Sequence, residues 1–152
     1  MGKVGAEIEV DAPLNAVEAL WYDTGRWASF IDGFGHVAKV EGDWPLEGSR
    51  VVWDSTPRGR GRVIERVVGH APGEGQTVAV EDPKLRGTQR VQFETLEDGT
   101  AVALVLEYEL KESTPLTAIV DLLFIRRAQR DALRRTLMRL GRELQADAEL
   151  LG

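Results

Sequence analysis

The chain has 152 residues, with 19 Lys and Arg against 25 Asp and Glu, a formal charge of −6, two His and no Cys. One domain spanning 1–152 is expected, because single cores most often hold roughly 100–150 residues, and a hydrophobic content of 43% excludes a disordered chain. The lack of Cys excludes disulfides, thiolate zinc sites and cysteine nucleophiles, and the acidic balance argues against nucleic acid as the main partner.

The longest apolar stretches, 101–106 and 116–125, fall far short of the ~20 residues of a membrane-spanning helix, and residues 1–7 carry no apolar signal segment. A cytoplasmic protein without stable membrane insertion is the expectation.

Residues 4–10 alternate Val4, Ala6, Ile8 and Val10 with Gly5, Glu7 and Glu9, the period of a half-buried strand. Asp11 is a candidate N-cap and Pro13 suits a first helical turn, so 14–22 reads as a short helix with Val17, Leu20 and Trp21 on one face. Asp23-Thr24-Gly25 breaks it, and 26–31 predicts a second short helix ended by Asp32-Gly33.

From residue 35 to 110, turn signals such as Gly42-Asp43, Glu47-Gly48, Pro72-Gly73, Asp82-Pro83 and Asp98-Gly99 arrive at meander spacing. They separate strands predicted at 37–41, 50–54, 62–68, 77–81, 88–96 and 100–110, which makes seven with the first. Ser113 or Thr114 then caps a long helix with Pro115 near its first position. Its apolar spacing runs from Leu116, Ile119, Val120, Leu123 and Phe124 into Leu133, Leu137, Leu140 and Leu144.

This order, with Glu7-Ile8-Glu9-Val10-Asp11-Ala12-Pro13, Arg26-Trp27 and Phe30 at the front, resembles the START-like or SRPBCC superfamily. Gly48-Ser49-Arg50, Glu65-Arg66-Val67-Val68, Glu81-Asp82-Pro83, Val91-Gln92-Phe93, Asp98-Gly99-Thr100 and Leu106-Glu107-Tyr108-Glu109-Leu110 carry the likeness further. Within that superfamily the chain is similar to the polyketide cyclase/dehydrase and lipid-transport group. The resemblance implies an α+β helix-grip fold, in which a curved antiparallel sheet of seven strands wraps a long C-terminal helix, with two short helices after strand one. It implies a cavity between sheet and helix and leaves its contents open.

Residues expected to line such a cavity and bind a hydrophobic small molecule (lipid, quinone or polyketide-like aromatic) are Trp27, Phe30, Phe34, Trp53, Phe93, Leu104, Leu106, Tyr108, Ile119, Leu123 and Phe124. Each is equally suited to a plain core. Tyr108 adds a hydroxyl that needs a partner when buried. Arg62, Glu65, Arg66, Arg90 and Gln92 either pair on the solvent face or, if inward, orient a ligand.

His36 and His70 are the acid–base candidates, but neither stands beside a nucleophile. The carboxylates Asp32, Asp54, Glu65 and Glu107 show no spacing that forces a pair together, so the catalytic residues stay unassigned. Ser55 and Ser113 lack an elbow motif, Pro57-Arg58-Gly59-Arg60-Gly61-Arg62 reads as a hairpin loop, and no spacing suggests a metal or a cofactor.

Arg126, Arg127, Arg130, Arg134, Arg135, Arg139 and Arg142 make the long helix basic, suited to anionic lipid, RNA or an acidic partner, or to pairing with the sheet's acids. The neighbouring 116–125 stretch is a candidate gate or homodimer contact. Carrier, enzyme of the cyclase, aromatase or dehydratase kind, and interaction module all remain open at this level.

Overall fold

A computed structural model describes residues 2–112 and 114–152, and of Leu122 the backbone only. Strand β1 (Gly2–Val10) is followed by helix α1 (Leu14–Tyr22), a 3₁₀ turn (Thr24–Arg26) and the single-turn helix α2 (Trp27–Phe30). Strands β2 (Phe34–Glu41), β3 (Arg50–Ser55), β4 (Arg62–Ala71), β5 (Gly75–Glu81), β6 (Leu85–Leu96) and β7 (Gly99–Leu110) come next. The chain closes with α3 (Pro115–Val120), a π-helical turn (Asp121–Ile125) and α4 (Arg126–Leu151).

All seven strands form one antiparallel sheet in the order β1-β7-β6-β5-β4-β3-β2. Sequential hairpins build six of its strands, and β1 returns beside β7 as the far edge. This is the α+β helix-grip architecture.

Alternation decides which side is the core. Val63 and Val67, Val78 and Val80, Leu85 and Val91, and Val102, Leu104, Leu106 and Tyr108 turn inward and are buried, whereas Arg66, Arg86, Arg90, Glu107 and Glu109 occupy the opposite pleat. One long helix must cover this apolar face. Leu133, Leu137, Leu140 and Leu144 recur on one side of α4 and are buried with the sheet core.

That helix lies nearest the β1 edge, where the Cα of Gly141 is so close that a Cβ there would stand 3.4 Å from Ile8. Arg26 ties its far end down, donating to Asp147 at 2.6 and 3.0 Å and to Glu143 at 2.7 Å. The Asp32 amide donates to buried Thr136 at 3.0 Å, so the segment after α2 is fastened to the middle of α4.

Several local expectations shift. Asp11 does not cap α1: Pro13 holds the N-cap position, without a side-chain cap bond. Residues 11 and 12 are spent on the corner instead, where Thr100 Oγ1 donates to the Ala12 carbonyl at 2.8 Å. Strands β2, β5 and β6 begin two or three residues earlier than their β-rich runs, because ladder hydrogen bonds continue through Phe34, Gly75 and Leu85.

Thr114 is the cap of α3, its hydroxyl accepting from the Thr117 amide at 3.1 Å; Ser113, the other cap candidate, lies outside the described residues. The long helix is not continuous α-helix, since the π turn at Asp121–Ile125 interrupts it. Gly87 permits a close approach no other residue allows: a Cβ there would fall 1.9 Å from the Glu107 carbonyl oxygen.

Leu137, 1% exposed, is a main anchor of α4. Leu137→Ala is expected to lower unfolding free energy by about 2–5 kcal/mol, measured by urea denaturation.

Candidate functional site

Helix α4 is seated by its Leu residues near β1 and stands off the middle strands. Ahead of Leu133 the space is lined by Ile125 of the π turn and by Ala128, Gln129 and Ala132 of α4, the last three small or polar. The space this leaves is a cavity of about 550 Å³ between the first turns of α4 and strands β3–β7. Trp21, Trp27, Ile31, Trp53, Val78, Val80, Leu85, Val91, Leu104, Leu106, Leu110 and Leu133 supply most of the apolar wall. The exposed members of the wall, Arg58, Gly59, Lys84, Ala128 and Arg135, mark where it opens.

Polar groups interrupt this wall at particular points. Glu65 on β4 is inward, and its Oε2 accepts from the Trp53 indole at 2.6 Å. The second carboxyl oxygen has no partner among the described residues and is not sealed off, so it opens on the cavity that Glu65 lines. Burial pushes the Glu65 carboxyl above its ordinary range, against the opposing pull of the Trp53 hydrogen bond and of nearby Arg60.

Gln89 on β6 and Gln129 on α4 line the same space with side chains that have no hydrogen-bond partner among the described residues. Gln76 on β5 also reaches the wall, its amide donating to the Pro45 carbonyl at 3.0 Å.

The rim is held by one aspartate. Asp82, 5% exposed, accepts from the Lys84 and Leu85 amides through Oδ1 at 2.8 and 3.0 Å, and from Arg60 Nε through Oδ2 at 2.8 Å. The Arg60 guanidinium sits 5.9 Å from the Trp53 ring centroid, a cation–π separation. The Thr56 amide donates to the Gly33 carbonyl at 2.9 Å, joining the β3–β4 loop to the turn after α2.

Of the candidates from the sequence, Trp27, Trp53, Leu104 and Leu106 line the cavity. Phe30 is fully buried beside Trp21, with ring centroids 5.8 Å apart, and lies in the core instead. Phe34 is half-buried and backs the wall, packed on Trp53 at 5.2 Å and Trp27 at 6.0 Å. Phe93 is buried against Tyr22, a ring the sequence reading placed only in α1.

Tyr108 is buried but turned away from the cavity: its hydroxyl donates to Asp121 at 2.6 Å, and desolvation with that contact pushes its pKa up to about 12. Its ring lies over Gly2, where a Cβ would come within 2.3 Å. Ile119, Leu123 and Phe124 face outward from the helix, each more than half exposed.

Among the polar candidates, Arg62 pairs with Asp54 on the outer face at 2.9 Å, and His36 stands 3.2 Å from the same carboxylate. Arg66, Arg90 and Gln92 share that outer pleat, and His70 packs edge-on against Tyr22 at 5.4 Å. An outer groove of about 470 Å³ is lined by Arg66, Glu81, Arg86, Glu107 and Glu109, a solvated charged surface with Arg86 and Glu109 paired at 2.8 Å. Arg135 and Arg139 both reach Asp32, at 2.9 and 3.4 Å.

Arg60, Gln76, Asp82, Gln89, Ala128, Gln129 and Ala132 were not singled out as inward residues from sequence. The available signal was the break in the apolar alternation at Gln76 and Gln89, and the thin positions that precede Leu133.

Residues 1–145 match the model of the family described as polyketide cyclase / dehydrase and lipid transport. A conserved protein from Geobacillus kaustophilus is 13% identical, with 95% of each chain covered and a TM-score of 0.73. A Thermus thermophilus protein is 21% identical over 95% of this chain and 98% of that one, with a TM-score of 0.70. Norcoclaurine synthase from Thalictrum flavum, solved as a point mutant with a transition-state analogue, is 12% identical over 94% and 95%, with a TM-score of 0.67. At these identities the likeness is one of fold. No curated protein matched the chain.

The raised pKa of Glu65 makes stability depend on pH with a definite sign. Its contribution is present in full below the ordinary value of 4.5 and is lost as the pH rises through the folded-state value. Thermal melts from about pH 4 to about pH 8 should therefore show Glu65→Gln gaining stability relative to wild type as the pH rises, levelling off above that value.

Proposed function

Because the chain belongs to the polyketide cyclase / dehydrase and lipid transport family, we propose that it binds a hydrophobic small molecule in the cavity between β3–β7 and α4. The ligand class is a lipid, a quinone or a polyketide-like aromatic. The observation that carries this is that α4 presents Gln129 and Ala132 to the space ahead of its buried Leu series, with Ala128 at the exposed edge. A volume of about 550 Å³ is in the range of small-molecule sites.

Apolar burial supplies the affinity, roughly 2.5 kcal/mol for each 100 Å² of ligand surface taken from water before the losses of association. Orientation falls to Glu65, Gln89 and Gln129. A protonated Glu65 donates one hydrogen bond and accepts another, while the amides do both. A ligand with an apolar body and a carbonyl or hydroxyl end suits that set. Arg58 and Lys84 bring positive charge to the opening, whereas Arg135 is paired with Asp32 there, and this suits an acidic or phenolic substituent left at the surface.

A second reading, cyclase- or dehydratase-type chemistry in the same pocket, is favoured by one observation. Glu65 is a desolvated carboxyl facing an apolar space, and burial moves it toward the protonated form, the direction a general acid needs. Tyr108 and His36 are engaged elsewhere, by Asp121 and Asp54. Proton transfer would therefore fall to Glu65.

Native mass spectrometry of protein purified without detergent tests the binding reading. An extra mass of lipid, quinone or aromatic chemistry is expected in wild type, and Ala132→Phe, which fills the cavity from the α4 side, should lose it while melting as wild type does. Retention of the same mass by Ala132→Phe, with its fold intact, would place the ligand elsewhere.

A further inference from the structure

Leu116, Ile119, Val120, Leu123 and Phe124 recur at i, i+3, i+4, i+7 and i+8, the spacing by which a helix normally buries one face. Here that face is outside. The five side chains are 70%, 56%, 38%, 57% and 65% exposed. Helix α3 makes its main contacts with the π turn that follows it, and that turn is fastened by buried Asp121, which accepts from Tyr108 and stands 3.6 Å from Arg126, and by Ile125, which packs against the core. Five exposed apolar side chains grouped on one helix face mark an interaction surface.

Charge selects the occupant. Segment 111–135 carries six Lys and Arg against three Asp and Glu, in a chain whose formal charge is −6. Just past Phe124 the exposed side of the helix turns basic, with Arg127 and Arg130 making no ion pair among the described residues, and Arg134 only loosely approached by Asp131 at 3.9 Å. A symmetric dimer through this face would gather two copies of the same basic patch into one interface. A bilayer with anionic headgroups instead takes the apolar side chains between its acyl chains and the arginines at its phosphates.

We propose that α3, the π turn and the first turns of α4 form a peripheral docking surface for an anionic phospholipid bilayer. The surface adjoins the cavity opening: Ile125, at the end of the π turn, lines the cavity, and the Lys111 amide donates to the carbonyl of rim residue Lys84 at 2.9 Å. Docking does not depend on what the cavity holds.

The test is co-sedimentation of the full chain with vesicles of phosphatidylcholine alone and of phosphatidylcholine with about one-third phosphatidylserine. Binding to the anionic vesicles is expected, weak on neutral ones and falling as salt screens the arginines. Leu123→Glu with Phe124→Glu should weaken it by more than about tenfold. Arg127→Glu with Arg130→Glu should weaken it by about tenfold or more, and all variants should melt as wild type because the altered side chains project outward.

Ala132→Phe, which blocks the cavity, should bind vesicles normally, so failure of the cavity reading and failure of docking are separable. No association with anionic vesicles overturns the proposal. So does binding undiminished in both double variants, or a lipid-free dimer that the Leu123→Glu, Phe124→Glu variant dissolves.

Discussion

A single helix has to cover a face that seven strands make, and most of the molecule follows from how it fails to cover all of it. Leu133, Leu137, Leu140 and Leu144 seat α4 near the β1 edge, and Arg26 and Thr136 hold it there through Asp147, Glu143 and the Asp32 amide. A rod fixed at one edge of a curved sheet cannot also lie on its middle strands. The volume between them is a property of that seating, and the small residue at 132 keeps it from being filled by the helix itself.

The fold was readable because its signals are local and periodic. Val102, Leu104, Leu106 and Tyr108 alternate strictly, and the pairing of β6 with β7 from Leu85–Leu110 to Leu96–Gly99 follows from one tight turn. The strand starts at Phe34, Gly75 and Leu85 were less visible, because ladder bonds carry each strand through a glycine, Gly35, Gly75 or Gly87, that reads in the sequence as a break. Asp11 misled for a related reason: a good capping side chain does nothing if the corner consumes its position before the helix begins.

The cavity was less legible than the fold. Periodicity separates inward from outward but does not separate packed from open, so Phe30 and Phe93 look identical to Trp27 and Trp53 in the sequence. Which of them face empty volume depends on where α4 sits, a relation between residues more than a hundred positions apart. Tyr108 shows the same difficulty in its orientation, since its partner Asp121 lies across the helix junction and draws the hydroxyl away from the cavity. Glu65 could be weighed from sequence as inward or outward, but only register, pairing it with Val51 and Val80, decides between them.

Asp82 receives the backbone of its own hairpin on one oxygen and Arg60 of the neighbouring loop on the other. Two connections that are separate in the chain thereby share one mechanical joint, and Thr56 extends it to the turn after α2. On this side the opening behaves as a stiff collar, whose aperture does not breathe one loop at a time. Widening it would have to come from the facing side, where Ala128, Gln129, Ala132 and Arg135 of α4 form the wall and the two loops have no part.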